Sequence, residues 1–121
     1  MAHILLAEDD ESLRKFLAAA LVKAGHVVTD FGDGAEAWDC VQGMTFDLLL
    51  TDIVMPGMDG IELVQKVRER KIHCRIMVFC SALSRDVHDA YRRLSVDRML
   101  YKPVMPAELR TAIREIFAEK K

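Results

Sequence analysis

The chain has 121 residues, 51% hydrophobic and 30% charged, with a formal net charge of −2. That length suffices for one domain with a sizeable core, and the balance excludes disordered and fibrous classes. Near-neutral charge leaves no basic footprint for nucleic acid, and no apolar run is long enough to cross a membrane.

Met1-Ala2-His3 lacks the charged and apolar regions of a secretory signal. Cys40, Cys74 and Cys80 are an odd count without a CxxC pair, which fits buried free thiols in a reducing compartment. The expectation is one cytoplasmic domain over residues 1–121, with no output domain appended.

Taken in order, residues 3–7 (HILLA) form a short apolar run that leads straight into Glu8-Asp9-Asp10-Glu11. Leu13, Phe16, Leu17, Ala20, Leu21 and Ala24 then recur at helical spacing, and Gly25 supplies a stop. Residues 26–31 read as a second strand. Asp33-Gly34 opens a short helix to about Gly43 that carries Ala37, Trp38 and Val41 inward.

The third strand, 46–51, holds an apolar run, Leu48 to Leu50, that stops at Asp52 and gives way to the turn-rich Met55-Pro56-Gly57-Met58-Asp59-Gly60. Such a run is the mark of a strand buried on both faces. Ile61, Leu63, Val64 and Val67 mark another helix, which ends in Arg68-Glu69-Arg70-Lys71. Residues 75–80 are a fourth strand, closed by Ser81. Residues 84–94 are helical with a thin apolar stripe. Residues 97–101 are a fifth strand, closed by Lys102-Pro103, and a last helix begins near Pro106 and buries Leu109, Ala112, Ile113, Ile116 and Phe117.

Five strands alternating with helices predict an α/β domain with a parallel sheet covered on both faces. In such sheets the chemistry lies beyond the carboxyl ends of the strands. There the first strand delivers Glu8, Asp9 and Asp10, the third Asp52, the fourth Ser81 and the fifth Lys102. Acids at a helix start are explained by capping and the helix dipole as readily as by chemistry. Three in a row exceed what a cap needs, and with Asp52 nearby they repel one another unless a cation is present. A hard divalent ion such as Mg²⁺ relieves this and leaves room for phosphate oxygens. Asp52 alone could equally be a cap, and Lys102 alone a surface cation.

Rival readings lack their residues. No GxGxxG or GxxxxGK[ST] follows the first strand, which argues against nucleotide binding. Two residues after Asp52 stands Val54, where a phosphatase of the haloacid-dehalogenase type needs an acid. His3, His26, His73 and His88 are scattered and assemble no triad.

LLAEDD after the first strand, LLLTDIVMPGMDGIEL at the centre, CSAL after the fourth strand and YKP after the fifth together resemble a two-component response-regulator receiver domain across the whole chain. The resemblance implies a flavodoxin-like, doubly wound (βα)5 fold with strand order 2-1-3-4-5. It implies that Asp52 accepts a phosphoryl group from a phosphohistidine on a sensor histidine kinase or phosphotransfer protein. Asp9, Asp52 and the Val54 carbonyl would bind Mg²⁺ directly and Glu8 through water. Ser81 and Lys102 would hold the phosphoryl group, Asp10 would cap the first helix, and the Lys102-Pro103 bond would be cis. Phosphorylation would switch the face made by the 84–94 helix, the fifth strand and the last helix, which carries Arg85, Arg92, Arg93, Arg98 and Arg110. A downstream protein would read that face, with no nucleic acid or membrane involved.

The sequence departs from the family pattern at three places. Met99 stands where a rotating Phe or Tyr is usual, with Tyr101 on the same strand face as a possible substitute. Ser95 stands where glycine is common. Val54 and Leu83 offer no base for an attacking water, which implies a phosphoryl state lasting minutes or longer. The Met99 departure keeps a second expectation open, a phosphorelay shuttle that passes the group onward with no conformational output. The first two motifs are also similar to stand-alone cell-cycle receivers of the CpdR type, which steer regulated proteolysis.

Overall fold

In the computed structural model, which describes residues 2–53, 55, 57–80 and 92–118, strands and helices alternate from the first strand to the fourth as the periodicity predicts. They are β1 (His3–Ala7), α1 (Glu11–Lys23), β2 (Val27–Phe31), α2 (Gly34–Val41), β3 (Leu48–Asp52), α3 (Gly60–Glu69), β4 (Arg75–Cys80), β5 (Arg98–Tyr101) and α4 (Pro106–Ala118). The helix expected over 84–94 lies, apart from its last residues, outside the described residues, as do Val54, Ser81 and Leu83.

Each of the first three helices starts on an aspartate in extended conformation. Asp10 accepts the Leu13 N–H at 3.1 Å, Asp33 the Glu36 N–H at 2.8 Å and Asp59 the Glu62 N–H at 2.8 Å. Each cap satisfies a backbone donor that the helix cannot. α1 and α3 end in the same left-handed turn. Gly25 supplies it after α1 at φ +98°, whereas Lys71 adopts it after α3 at φ +55° with no such freedom.

All five strands pair in parallel in the order β2-β1-β3-β4-β5, which makes the fold the flavodoxin-like one expected. Strand alternation sorts the core into two layers. Ile4, Leu6, Leu48, Leu50, Met77 and Phe79 face α1 and α4, while Leu5, Leu49, Ile76 and Val78 face α2 and α3. β3, at the centre, is buried along its whole length.

Two aromatic residues depart from their expected burial. Phe16 is 52% exposed and Phe117 40%. Leu17 and Ile116, their immediate neighbours, take the inward positions, which swings each ring about 100° round its helix.

Arg68 does more than end α3 with charge. Its guanidinium donates to the carbonyls of Leu94 (3.2 Å), Cys74 (3.3 Å) and Ser95 (2.6 Å) and lies 3.5 Å from Asp97. It thereby ties the approach to β5 onto α3. Ser95 enters that approach with φ +58°.

Candidate functional site

The carboxyl ends of β1 and β3 are in register, Ala7 opposite Thr51, so the residues that follow emerge side by side. Glu8 comes directly after β1 and is fully buried. Its Oε2 accepts the Asp10 N–H at 3.0 Å, and Oε1 lies 3.3 Å from Lys102 Nζ. Asp52 is the last residue of β3 itself and is 6% exposed. Its Oδ1 accepts the Ile53 N–H at 2.8 Å and its Oδ2 the Lys102 ammonium at 2.8 Å. Asp9 is exposed beside them, and one carboxylate oxygen from each of Glu8, Asp9 and Asp52 lies within 4.8 Å of the others.

Lys102 reaches these acids because its own N–H donates to the Cys80 carbonyl at 2.6 Å, and the Lys102-Pro103 peptide is cis. Partial burial works against the ammonium, but the hydrogen bond and charge of Asp52, with Glu8 beside it, outweigh that. The net effect holds the Lys102 pKa above its ordinary 10.5. Burial, reinforced by the Asp52 charge, pushes Glu8 from 4.5 to about 7 against the Asp10 hydrogen bond and Lys102.

Three residues outside the expected set build the walls. Arg14 donates through Nη1 to the Glu8 carbonyl at 2.8 Å and pairs through Nε with Asp30 at 3.2 Å, pinning the acidic turn to the end of β2. Gly60 begins α3 against the backbone of β3. Its N–H donates to the Ile53 carbonyl at 2.7 Å, and a Cβ there would fall on the Asp52 carbonyl oxygen. Gly34 begins α2 equally close to the Met58 carbonyl. Each glycine directly follows a capping aspartate, a juxtaposition visible in the sequence, but the neighbour that forbids a side chain is not.

Residue by residue, Glu8, Asp9 and Asp52 lie together with Lys102 against Glu8 and Asp52, and Ser81 and Val54 lie outside the described residues. Met99 is partly buried in the layer with α2 and α3, and Tyr101 is 50% exposed at the end of β5.

Residues 4–114 match the response regulator receiver domain family. The chain is 54% identical over 77 residues to the response regulator receiver protein CpdR of Brucella abortus, covering 64% of this chain and 64% of that protein. It is 31% identical over 114 residues to PetR of Rhodobacter capsulatus, covering 94% of this chain and 48% of that one. The matched stretches thus span less than two thirds of either relative.

Among solved structures, the chemotaxis protein CheY4 of Vibrio cholerae superposes with a TM-score of 0.89 at 28% identity, covering 96% of this chain and 98% of that one. A Francisella response regulator receiver domain shares the fold with a TM-score of 0.91 at 24% identity, covering all of both chains. The chain belongs to the response-regulator receiver domain family, whose members are signalling modules of two-component systems.

Such domains work with histidine kinases or phosphotransfer proteins and typically bind Mg²⁺. The residues here fit that ion. The donors are hard carboxylate oxygens within reach of one another, and Glu8 Oε1 is buried with the Lys102 ammonium 3.3 Å away. No helix among the described residues is long and apolar enough to cross a membrane.

Proposed function

We propose that this receiver domain takes a phosphoryl group onto Asp52 from a phosphohistidine of a sensor histidine kinase or phosphotransfer protein, in the cytoplasm, and presents the change to a downstream protein. The observation that carries the reading is the pairing of Asp52 with Lys102. A nearly buried carboxylate ends the central strand with an ammonium 2.8 Å away and two further acids at its side.

In this reading an Asp52 carboxylate oxygen attacks phosphorus while the phosphorus–nitrogen bond of the donor breaks, and the imidazole leaves with the electron pair. The product is a mixed anhydride, reactive toward water. The Lys102 ammonium passes from Asp52 to a phosphoryl oxygen and keeps the local charge balanced, and the Ser81 hydroxyl donates to another. Asp9, Asp52 and the Val54 carbonyl would hold Mg²⁺, with Glu8 acting through water. What the ion supplies is neutralisation of charge on the transferring group.

Val54 and Leu83 present no base to an attacking water, so the phosphoryl state persists for minutes or longer. The output face is built from the 84–94 segment, β5 and α4, with Tyr101 or Met99 as the side chain that moves.

A second reading, the onward shuttle, is favoured by Met99, a flexible thioether at the position where an aromatic ring would report the change. One experiment bears on both. Incubation with acetyl phosphate and Mg²⁺ gives a mass gain of one phosphoryl group that Asp52→Asn abolishes. Slowed amide exchange across 92–101 in the phosphorylated form supports the switch, and unchanged exchange supports the shuttle. No mass gain, or a gain that survives Asp52→Asn, refutes the assignment.

A further inference from the structure

We propose that the opposite end of the molecule, at the amino ends of the strands, docks an acidic segment of a protein partner that carries one apolar anchor. Two cavities of about 770 and 570 Å³ open on this end and share Asp47 and Phe117, so they form one groove. Ile113 and the half-exposed ring of Phe117 give it an apolar floor. Arg110, Arg114 and Lys71 stand exposed along it, and none of the three enters an ion pair among the described residues. Arg68 and Arg75, which also reach the groove, are already engaged by Asp97 and belong to the scaffold.

Charge complementarity selects the occupant. A chain of net charge −2 collects Glu8, Asp9, Asp10 and Asp52 at one end and leaves at the other these cations, which enter no ion pair among the described residues. A cationic rim around an apolar floor suits carboxylates flanking an aliphatic or aromatic side chain. A nucleic-acid backbone suits it less, because the Asp47 carboxylate sits where the two cavities meet. That carboxylate accepts the His3 N–H at 2.8 Å and so is fixed in place. A peptide can turn a backbone N–H toward it, whereas a phosphate cannot.

β1 and β3 put the groove roughly 15 Å from Asp52, at about 3.3 Å of rise per residue. Occupancy of the two ends is therefore compatible, and although Arg110 lies on α4, which also contributes to the proposed output face, binding in the groove needs no phosphoryl transfer.

The test is a selection from a phage-displayed random dodecapeptide library on the intact protein, with counter-selection on the Arg110→Glu/Arg114→Glu double variant. The expected peptides carry several Asp or Glu around one Leu, Ile or Phe. A synthetic representative should shift the amide resonances of Ile113 and Phe117. Its Kd should weaken at least tenfold in the double variant and in Phe117→Ser, but stay unchanged in Arg92→Glu/Arg93→Glu. Unaltered melting of the double variant, whose residues make no ion pairs among the described residues, shows that it folds. Neutral or basic winners, equal binding to the double variant, resonance shifts elsewhere, or tighter groove binding by a dodecathymidylate would each overturn the proposal. So would a selection yielding no peptide that depends on Arg110 and Arg114.

Discussion

Lys102 Nζ lies 2.8 Å from Asp52 Oδ2, and the same ammonium reaches Glu8 Oε1 at 3.3 Å. One cation therefore serves two buried carboxylates that arrive from different strands. Removing it leaves both without compensation, which costs about 2 kcal/mol for a pair that is partly shielded by solvent. Lys102→Ala should melt several degrees lower in chelator, and added Mg²⁺ should restore more stability than it adds to the unaltered protein. Mg²⁺ should also bind more tightly, since no ammonium competes for Asp52, while phosphoryl uptake slows at least tenfold. Calorimetric Mg²⁺ titration of the two proteins checks this, and equal affinities would mean that the two cations do not share Asp52.

Gly60 is held against the Asp52 carbonyl where no side chain fits. Because the obstacle is backbone of the central strand, it cannot yield without moving the site. Gly60→Ala is expected to lose about 2–3 kcal/mol in urea unfolding, in the range of overpacked cores. Gly43→Ala serves as the control. A methyl there meets nothing within 4 Å and φ is not positive, so its urea midpoint should stay within error or rise.

Ser95 adopts φ +58° without glycine's freedom. The strain of a left-handed residue, about 1–2 kcal/mol, exceeds the extra unfolded-state entropy of glycine, about 0.5–1 kcal/mol. Ser95→Gly should therefore stabilise by about 0.5–1 kcal/mol, with the Arg68 bonds to the Leu94 and Ser95 carbonyls intact because both are to backbone. Denaturant unfolding measures it, with Ser95→Ala showing no gain.

His26 accepts the Ala2 N–H on Nδ1 at 3.1 Å, and burial lowers its pKa below the ordinary 6.5. Between the lowered value and 6.5 the unfolded chain binds more protons than the folded one, so stability rises with pH across that window. The contribution is complete above pH 6.5 and is lost as pH falls through the folded-state value. His26→Asn keeps an acceptor but does not titrate. Subtracting its stability–pH curve from that of the unaltered protein should leave a fall confined to the acid side of 6.5.

Much of the site could be read from the chain because its physics is local. The unbroken apolar run of 48–50 identified a central strand, Asp52 ended it, and βα alternation carried Glu8, Asp9 and Lys102 to the same edge. Ser95 stood out as a substitution for glycine, and its positive φ gives the reason. Helical spacing was less informative about Phe16 and Phe117. Periodicity defines a face but not its edge, and one position of rotation separates core from solvent. Arg14 and Arg68 were illegible for a different reason. Their partners, the Glu8 carbonyl for one and the Leu94, Cys74 and Ser95 carbonyls for the other, are backbone groups that any sequence supplies.

The central claim, that Asp52 carries the phosphoryl group, is tested most directly by chemical trapping. Acyl phosphates are reduced by borohydride, which converts a phosphorylated aspartate to homoserine. After incubation with acetyl phosphate, reduction and tandem mass spectrometry should find homoserine at position 52 alone, only when Mg²⁺ is present, and at much lower yield in Lys102→Ala. Homoserine at position 9 or 10, at no position, or at 52 with equal yield in the presence of chelator would contradict the account.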